Sequence, residues 1–295
     1  MYHRFGEGYT EAGTFEKQIR YLKNHFFLLD LESYVERITN GDPPPPASVL
    51  LSVDDGYRDF YEVAFPILRK HGVPAAVFLT LDFVDKGVWL WHDRINFGIG
   101  ESSRPDIVLA GERFHLVDPR ERRRLKHALD EMATRVNPQT RDELISDVLK
   151  ELRVEVPERP PERYAPLNWE EIRHMSRYGI SFGGHTCTHP VLSRISRSEC
   201  IREVGESKKG IEEALQRSVL AFCYPNGKEG DFDEETKEVV RESGYLCAMS
   251  AIYGMNDSQS DRYALRRMSS DGPSFVQFQH DVCGVGVLRR FVMRD

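Results

Sequence analysis

Two short clusters hold the residues best suited to chemistry: Asp54-Asp55-Gly56 and His185-Thr186-Cys187-Thr188-His189. Successive residues of an extended strand face opposite sides, so adjacent carboxylates serve one site only where the chain turns, and Gly56 permits that turn. Taken alone, Asp-Asp-Gly is an ordinary acidic turn. Two imidazoles four residues apart converge on one ion if their segment forms a turn of helix, and Gly183-Gly184 gives that loop room. Taken alone, they are two polar loop histidines. Together the clusters supply two histidines and a carboxylate, a ligand set of catalytic zinc and iron(II) centres with open positions, and leave a second carboxylate free beside the ion. Iron oxygenases draw a His-x-Asp/Glu pair plus a distant His, and no such pair surrounds His185. Metal-assisted hydrolysis fits better. A third cluster, Tyr224-Pro225-Asn226-Gly227, is a turn signal whose backbone N–H groups could stabilise an oxyanion. His3 has no distinguishing context of its own. Trp89, Trp91 and His92 read as a small local core, although aromatic rings also stack on sugars.

Each cluster closes a predicted strand. Residues 48–53, after the Pro43-Pro44-Pro45-Pro46 stub, form a continuous apolar run suited to a buried parallel strand. Helix-like spacing over 15–39 precedes them, broken near Phe27-Leu28-Leu29. A helix over 61–70 and a buried strand over 75–80 complete a βαβ unit. The pattern resumes with a helix over 169–178, N-capped by Asn168, then a strand over 179–182. A helix over 199–217 and a strand over 219–224 follow. The next helix is expected to be capped by Asp231, with Glu234 completing a capping box. A strand over 244–249, an extended piece over 262–268 and a helix over 274–290 end the chain. Between the two halves, residues 86–166 are highly charged, with helical spacing over 119–136 and 140–154 and a proline-rich linker over 157–166. They are expected to be a mostly helical insertion within a single catalytic domain, 1–295. Such alternation implies a mainly parallel sheet with helices outside, and in closed α/β barrels the strand-end rim carries the active site.

The 295 residues are enough for a sizeable core, and 40% hydrophobic with 29% charged content describes a soluble globular chain. A net charge of -7 argues against a general nucleic-acid binder. No apolar run reaches the length of a membrane span, and the first residues lack the apolar core of a signal peptide. Five cysteines without a Cys-x-x-Cys pair argue against a disulfide framework or a structural zinc knuckle, and suggest reduced thiols in a cytoplasmic protein.

Ser52-Val53-Asp54-Asp55-Gly56 and His185-Thr186-Cys187-Thr188-His189-Pro190 resemble the first two motifs of the polysaccharide deacetylases. This is carbohydrate esterase family four, the NodB-like homology domain. The stretches Gly56-Tyr57-Arg58-Asp59, Phe65-Pro66-Ile67-Leu68 and Gly72-Val73-Pro74-Ala75 are similar too, and the likeness spans nearly everything outside the insertion. The resemblance implies an α/β fold, a distorted (β/α) barrel with fewer than eight strands. It implies a divalent metal, zinc foremost, held by Asp55, His185 and His189, with Asp54 as general base and the Tyr224 N–H as an oxyanion donor. Two departures stand out. The third motif lacks its usual Arg, for which Arg266 or Arg267 could substitute. The C-terminal Leu-x-His strand that supplies the general acid is also missing. A circularly permuted branch, similar to the poly-N-acetylglucosamine deacetylases, carries that histidine in an N-terminal strand, and Tyr2-His3-Arg4 matches it. The implied general acid is then His3. The implied reaction removes N-acetyl groups from an N-acetylated sugar or polysaccharide, releasing acetate. Two alternatives remain: an amide hydrolase acting on a cyclic or non-sugar amide, which the missing Arg keeps open, and a degenerate carbohydrate-binding domain, against which the intact triad and Asp54 speak.

Overall fold

The apolar runs assemble into one parallel sheet that curls until its edges nearly meet. The computed structural model describes residues 1–271 and 274–285. In chain order the elements begin with α1 (Ala12–His25), β1 (Phe27–Leu29), α2 (Leu31–Asn40), β2 (Ser48–Leu50) and β3 (Ser52–Val53). A π-helical turn, Phe60–Ala64, leads into α3 (Phe65–His71), β4 (Ala75–Leu79), α4 (Leu81–Lys86) and α5 (Trp91–Glu101). Then come β5 (Asp106–Leu109), β6 (Glu112–His115), α6 (Pro119–Thr134) and α7 (Pro138–Leu152). The second half holds α8 (Trp169–Met175), β7 (Ile180–Gly184), α9 (Arg197–Leu215), β8 (Ala221–Cys223), α10 (Glu234–Glu242), β9 (Cys247–Tyr253), β10 (Leu265–Arg267) and α11 (Phe275–Val282).

The main sheet runs β10-β9-β8-β7-β4-β3, parallel throughout. At its centre β4 pairs with β7 from Ala75↔Ile180 to Leu79↔Gly184, and every β4 residue is buried, as a strand covered on both faces requires. The N-terminal residues bridge the two edges. Tyr2 donates its N–H to the Ser52 carbonyl at 2.9 Å and accepts from the Asp54 N–H at 3.0 Å. Met1 N donates to the Met268 carbonyl, and the Met1 carbonyl accepts from the Ser270 N–H, both at 2.8 Å. Tyr2 thereby flanks β3 in parallel while Met1 reaches the chain beyond β10, giving a distorted barrel with fewer than eight strands. Because all strands of this sheet are parallel, Asp54, His185, Tyr224 and Arg267 arrive at one rim.

Several expected elements shift. The run over 48–53 changes partner at Leu51, with β2 pairing β1 and β3 pairing β4, and the break near residue 27 is itself a strand. The α10 cap is Asp233, which accepts from the Thr236 N–H at 2.9 Å; Asp231 instead accepts from the Lys228 N–H. The final helix is Phe275–Val282, and residues 286–290 of that expectation lie outside the described residues. Residues 86–166 contain the expected helices but also an antiparallel hairpin, β5–β6, whose two-residue turn places Ala110 and Gly111 at φ 49° and 84°. Ala-Gly lacks the Asn-Gly or Asp-Gly signature of such turns, which hid the hairpin from a sequence reading. Ile95 and Ile99 of α5, Ile107, Phe114, Leu129 and Leu149 form a core of their own there. All five cysteines are free thiols. Among the described residues no helix is long and apolar enough to cross a membrane.

Candidate metal centre

The turn after β3 is tighter than a flexible glycine alone explains. Asp55 itself sits in the left-handed region at φ 75°, followed by Gly56 at φ 94°. A Cβ on Gly56 would lie 2.9 Å from Leu79 Cδ2 and 3.2 Å from Val84 Cγ2, so both conformation and packing require glycine. The reversal brings both carboxylates into the rim, and both are buried.

The histidine cluster reaches the same place without forming helix. His185 leaves the end of β7, and the loop turns through Thr186 at φ 65° and His189 at φ 58°. The expected helical turn is replaced by a braced loop. Thr186 Oγ1 accepts from the His189 N–H at 3.0 Å. The α4 N–H groups of Leu81 and Asp82 reach the Thr186 and Cys187 carbonyls, both at 3.0 Å. Glu203 of α9, almost wholly buried, accepts from the N–H groups of Cys187 (2.9 Å) and Thr188 (2.8 Å) and from Thr188 Oγ1 (3.0 Å). Gly183 and Gly184 serve close packing rather than loop freedom: a Cβ on Gly184 would overlap the Tyr245 hydroxyl.

The Nε2 atoms of His185 and His189 each lie 3.4 Å from Asp55 Oδ1. That is longer than a charge-assisted hydrogen bond. It is close to the spacing of about 3.3–3.4 Å expected between donors at tetrahedral corners about 2.0–2.1 Å from a zinc ion. Asp55 Oδ1 is buried and has no hydrogen-bond partner among the described residues. His185 Nδ1 lies 2.7 Å from the Cys223 carbonyl, which fixes its proton there and leaves Nε2 as the ligand atom. The orphaned oxygen, the spacing and the tautomer all suit a divalent cation. Asp54, His185 and Cys223 also offer donor atoms within reach of one another. There the Arg267 guanidinium stands 2.7 Å from Asp54 and 3.1 Å from Cys223 Sγ, and a fixed cation opposes a metal at that spot.

Arg267, from the end of β10, makes a bidentate pair with Asp54: one guanidinium nitrogen to Oδ1 and the other to Oδ2, each at 2.7 Å. Of the two candidates offered by the sequence, Arg266 and Arg267, it is Arg267 that contacts Asp54. Burial alone would raise the Asp54 pKa, but Arg267 holds it well below the usual carboxylate range. His3 also approaches Asp54, with Nε2 3.8 Å from Oδ2 and Nδ1 2.5 Å from Asp271 Oδ2. Burial disfavours its charged form, but the Asp271 hydrogen bond and charge, with Asp54 and Asp55, outweigh it and raise the pKa above 6.5.

The Tyr224 N–H is not available to an oxyanion. It donates to the Met249 carbonyl at 3.0 Å, inside the β8–β9 ladder, while the Tyr224 hydroxyl donates to the Tyr263 carbonyl. The ladder ends beyond it. Asn226, at φ 58°, is the residue of this turn that no described backbone contact engages through its N–H, and its buried Nδ2 also has no partner among the described residues.

Trp91 and His92, read from sequence as local core, touch the site directly. Trp91 packs in the 86–166 core yet donates Nε1–H to the His189 carbonyl at 3.1 Å. The His92 ring meets that of His189 edge-on at 5.3 Å. Burial pushes the His92 imidazole down to about 3, so it is neutral.

The polysaccharide deacetylase family model matches residues 41–112 and 123–248. YxkH of Bacillus subtilis strain 168, assigned by name to the polysaccharide deacetylases, is 21% identical over 272 residues, covering 91% of this chain and 69% of that protein. Among solved structures, IcaB from Ammonifex degensii superposes with a TM-score of 0.63 at 16% identity, covering 96% of this chain and 93% of that one. The Streptococcus pyogenes deacetylase PplD, solved with acetate, gives 0.60 at 19% identity, covering 91% and 89%.

Proposed function

Since the chain belongs to the polysaccharide deacetylase family, hydrolases of N-acetyl amide bonds, we propose that it releases acetate from an N-acetylated saccharide at the Asp55–His185–His189 centre. The observation that carries this reading is the orphaned Asp55 Oδ1, equidistant from two imidazole Nε2 atoms. A divalent cation, zinc by its ligand set, would polarise the acetamide carbonyl and acidify water at the site. Asp54 takes the proton of the attacking water. Arg267 keeps that carboxylate ionised and aimed, at some cost in basicity. His3 donates through Nε2 to the departing amine, since Asp271 occupies its Nδ1 and raises its protonated fraction. With the Tyr224 N–H committed to the sheet, the oxyanion donor we assign is the Asn226 N–H in the same turn. Residues 86–166 are proposed as a unit inserted in the barrel that steadies His189 through Trp91.

Acetate release is measured on polymeric, nucleotide-linked and lipid-linked N-acetyl sugars, after chelation and after zinc is restored. The expected outcome is zinc-dependent release from at least one class. Cleavage of cyclic ureides with no acetate from any sugar would overturn the reading. Asp54→Asn should lose about 10²–10⁴-fold in turnover while retaining metal. Near-normal turnover would remove Asp54 as the base.

A further inference from the structure

Next to the metal ligands lies a hydrogen-bond relay that the mechanism above does not use. The Tyr57 hydroxyl has one proton, and Asp93 Oδ2 stands 2.6 Å away to take it, a length typical of O–H donating to a carboxylate. The Tyr57 oxygen is then an acceptor for His92 Nε2, 3.0 Å away, so His92 carries its proton on Nε2. Its Nδ1 is left as a lone pair. Tyr57 and Asp93 are buried, whereas His92 is mostly but not wholly buried. The relay therefore ends in one accessible acceptor, on the residue whose ring packs against His189. Trp91, one residue earlier, ties the start of α5 to the His189 carbonyl, so the acceptor is held in fixed relation to the metal centre.

An acceptor at that place cannot serve the reacting carbonyl oxygen, which needs donors. It suits a donor attached to the reacting carbon. In an acetamide that donor is the N–H. In an acetate ester the same position holds an oxygen, whose lone pairs would face Nδ1. We infer that His92 selects amides over esters by accepting, through Nδ1, a hydrogen bond from the N–H of the acetamido group being cleaved. This rests on the deacetylase reading above. Tyr57 and Asp93 are positioning residues that hold His92 in the required tautomer, and attraction toward the amide with repulsion of the ester is a two-sided device of specificity.

The test compares kcat/KM of zinc-loaded wild type and His92→Phe on N-acetylglucosamine oligomers and on an O-acetylated sugar. The variant should lose about 10–100-fold on the amide, with metal content unchanged, while the ester rate stays within about threefold or rises. A parallel fall on both substrates, which would point to a sugar hydroxyl as the donor, overturns the inference, as does an unchanged amide-to-ester ratio. Acetate from neither substrate with wild type overturns the deacetylase reading as well, which separates the two failures. Independently of activity, nitrogen NMR of labelled His92 should show the Nε2–H tautomer in wild type and a loss of that preference in Tyr57→Phe. An Nδ1–H tautomer in wild type overturns the inference.

Discussion

Replacing Arg267 by Met tests how the buried carboxylate is kept charged. Asp54 and Arg267 are 3% and 7% exposed, and both guanidinium bonds are 2.7 Å. Removing one partner of such a pair typically costs about 3–5 kcal/mol, because the other charge stays buried without compensation. At about 1.4 kcal/mol per pKa unit, that corresponds to Asp54 rising by about two to four units. In wild type the folded pKa lies below the unfolded one, so the pair stabilises at neutral pH and is lost only as pH falls through the folded value. In Arg267→Met that rise carries the folded pKa up to or past the unfolded one, so the stabilisation present at neutral pH is removed and the folded protein begins to take up the proton at a higher pH than wild type. The stability gap between the proteins should therefore be widest near pH 7.5 and shrink toward pH 4.5. Urea unfolding of the chelated proteins across that range measures it. Asp54→Asn/Arg267→Met should be less destabilised than Arg267→Met alone, since it has no buried charge to strand. A gap below about 1 kcal/mol at pH 7.5, or one that does not change with pH, would refute the reasoning. With zinc restored, the acid limb of kcat/KM should move to higher pH in Arg267→Met, in step with the base.

Three further perturbations follow. His3→Ala should lower kcat by about 10²–10⁴-fold with metal retained, and Asp271→Asn should move the alkaline limb of the rate profile to lower pH, because the charge that raises the His3 pKa is gone. A His3→Ala rate within a few-fold of wild type would remove it as the acid. Glu203→Ala strands the Cys187 and Thr188 N–H groups, and should lower the thermal midpoint and weaken zinc affinity by about 10–100-fold; unchanged affinity by competition with a chelator would show that the loop holds its shape without Glu203.

What could be read from sequence was what is local. β4 is a continuous apolar run because a parallel strand is covered on both faces, and each reactive cluster follows the end of a short strand, β3, β7 or β8. Asp55, His185 and His189 were legible as a candidate ligand set because the residue types alone limit the chemistry, and the structure brings them together. Arg267 was legible only as one of two candidates. Its partner lies 213 residues away, and the pairing depends on β10 closing toward the N-terminal residues, which no local pattern encodes. Glu203 was not legible at all. On a long charged helix it has the sequence signature of a solvated face, and it is buried because the Cys187 and Thr188 N–H groups satisfy one carboxylate oxygen while Arg202 and the Thr188 hydroxyl satisfy the other.

Tyr224 shows a different limit, one of register. Sequence put its candidate oxyanion donor on Tyr224, the residue where the turn signal begins, and the structure commits that N–H to the sheet. Whether a backbone N–H is free depends on where the ladder stops, and β8–β9 pairing extends to the Tyr224 N–H. The turn itself departs later, at Asn226, in the left-handed region. The same is true elsewhere on the rim: Asp55, Thr186 and His189 are also non-glycine residues at positive φ. Each such residue costs on the order of 1 kcal/mol, and that cost is offset by bonds that fix the loops, from α4, Glu203 and the Thr186 hydroxyl. Glycine at these positions would relieve the strain but discard the side chains that face the site. The strained backbone is therefore what lets candidate ligand residues occupy turning points, and turning points are where a pattern of residue types says least about direction.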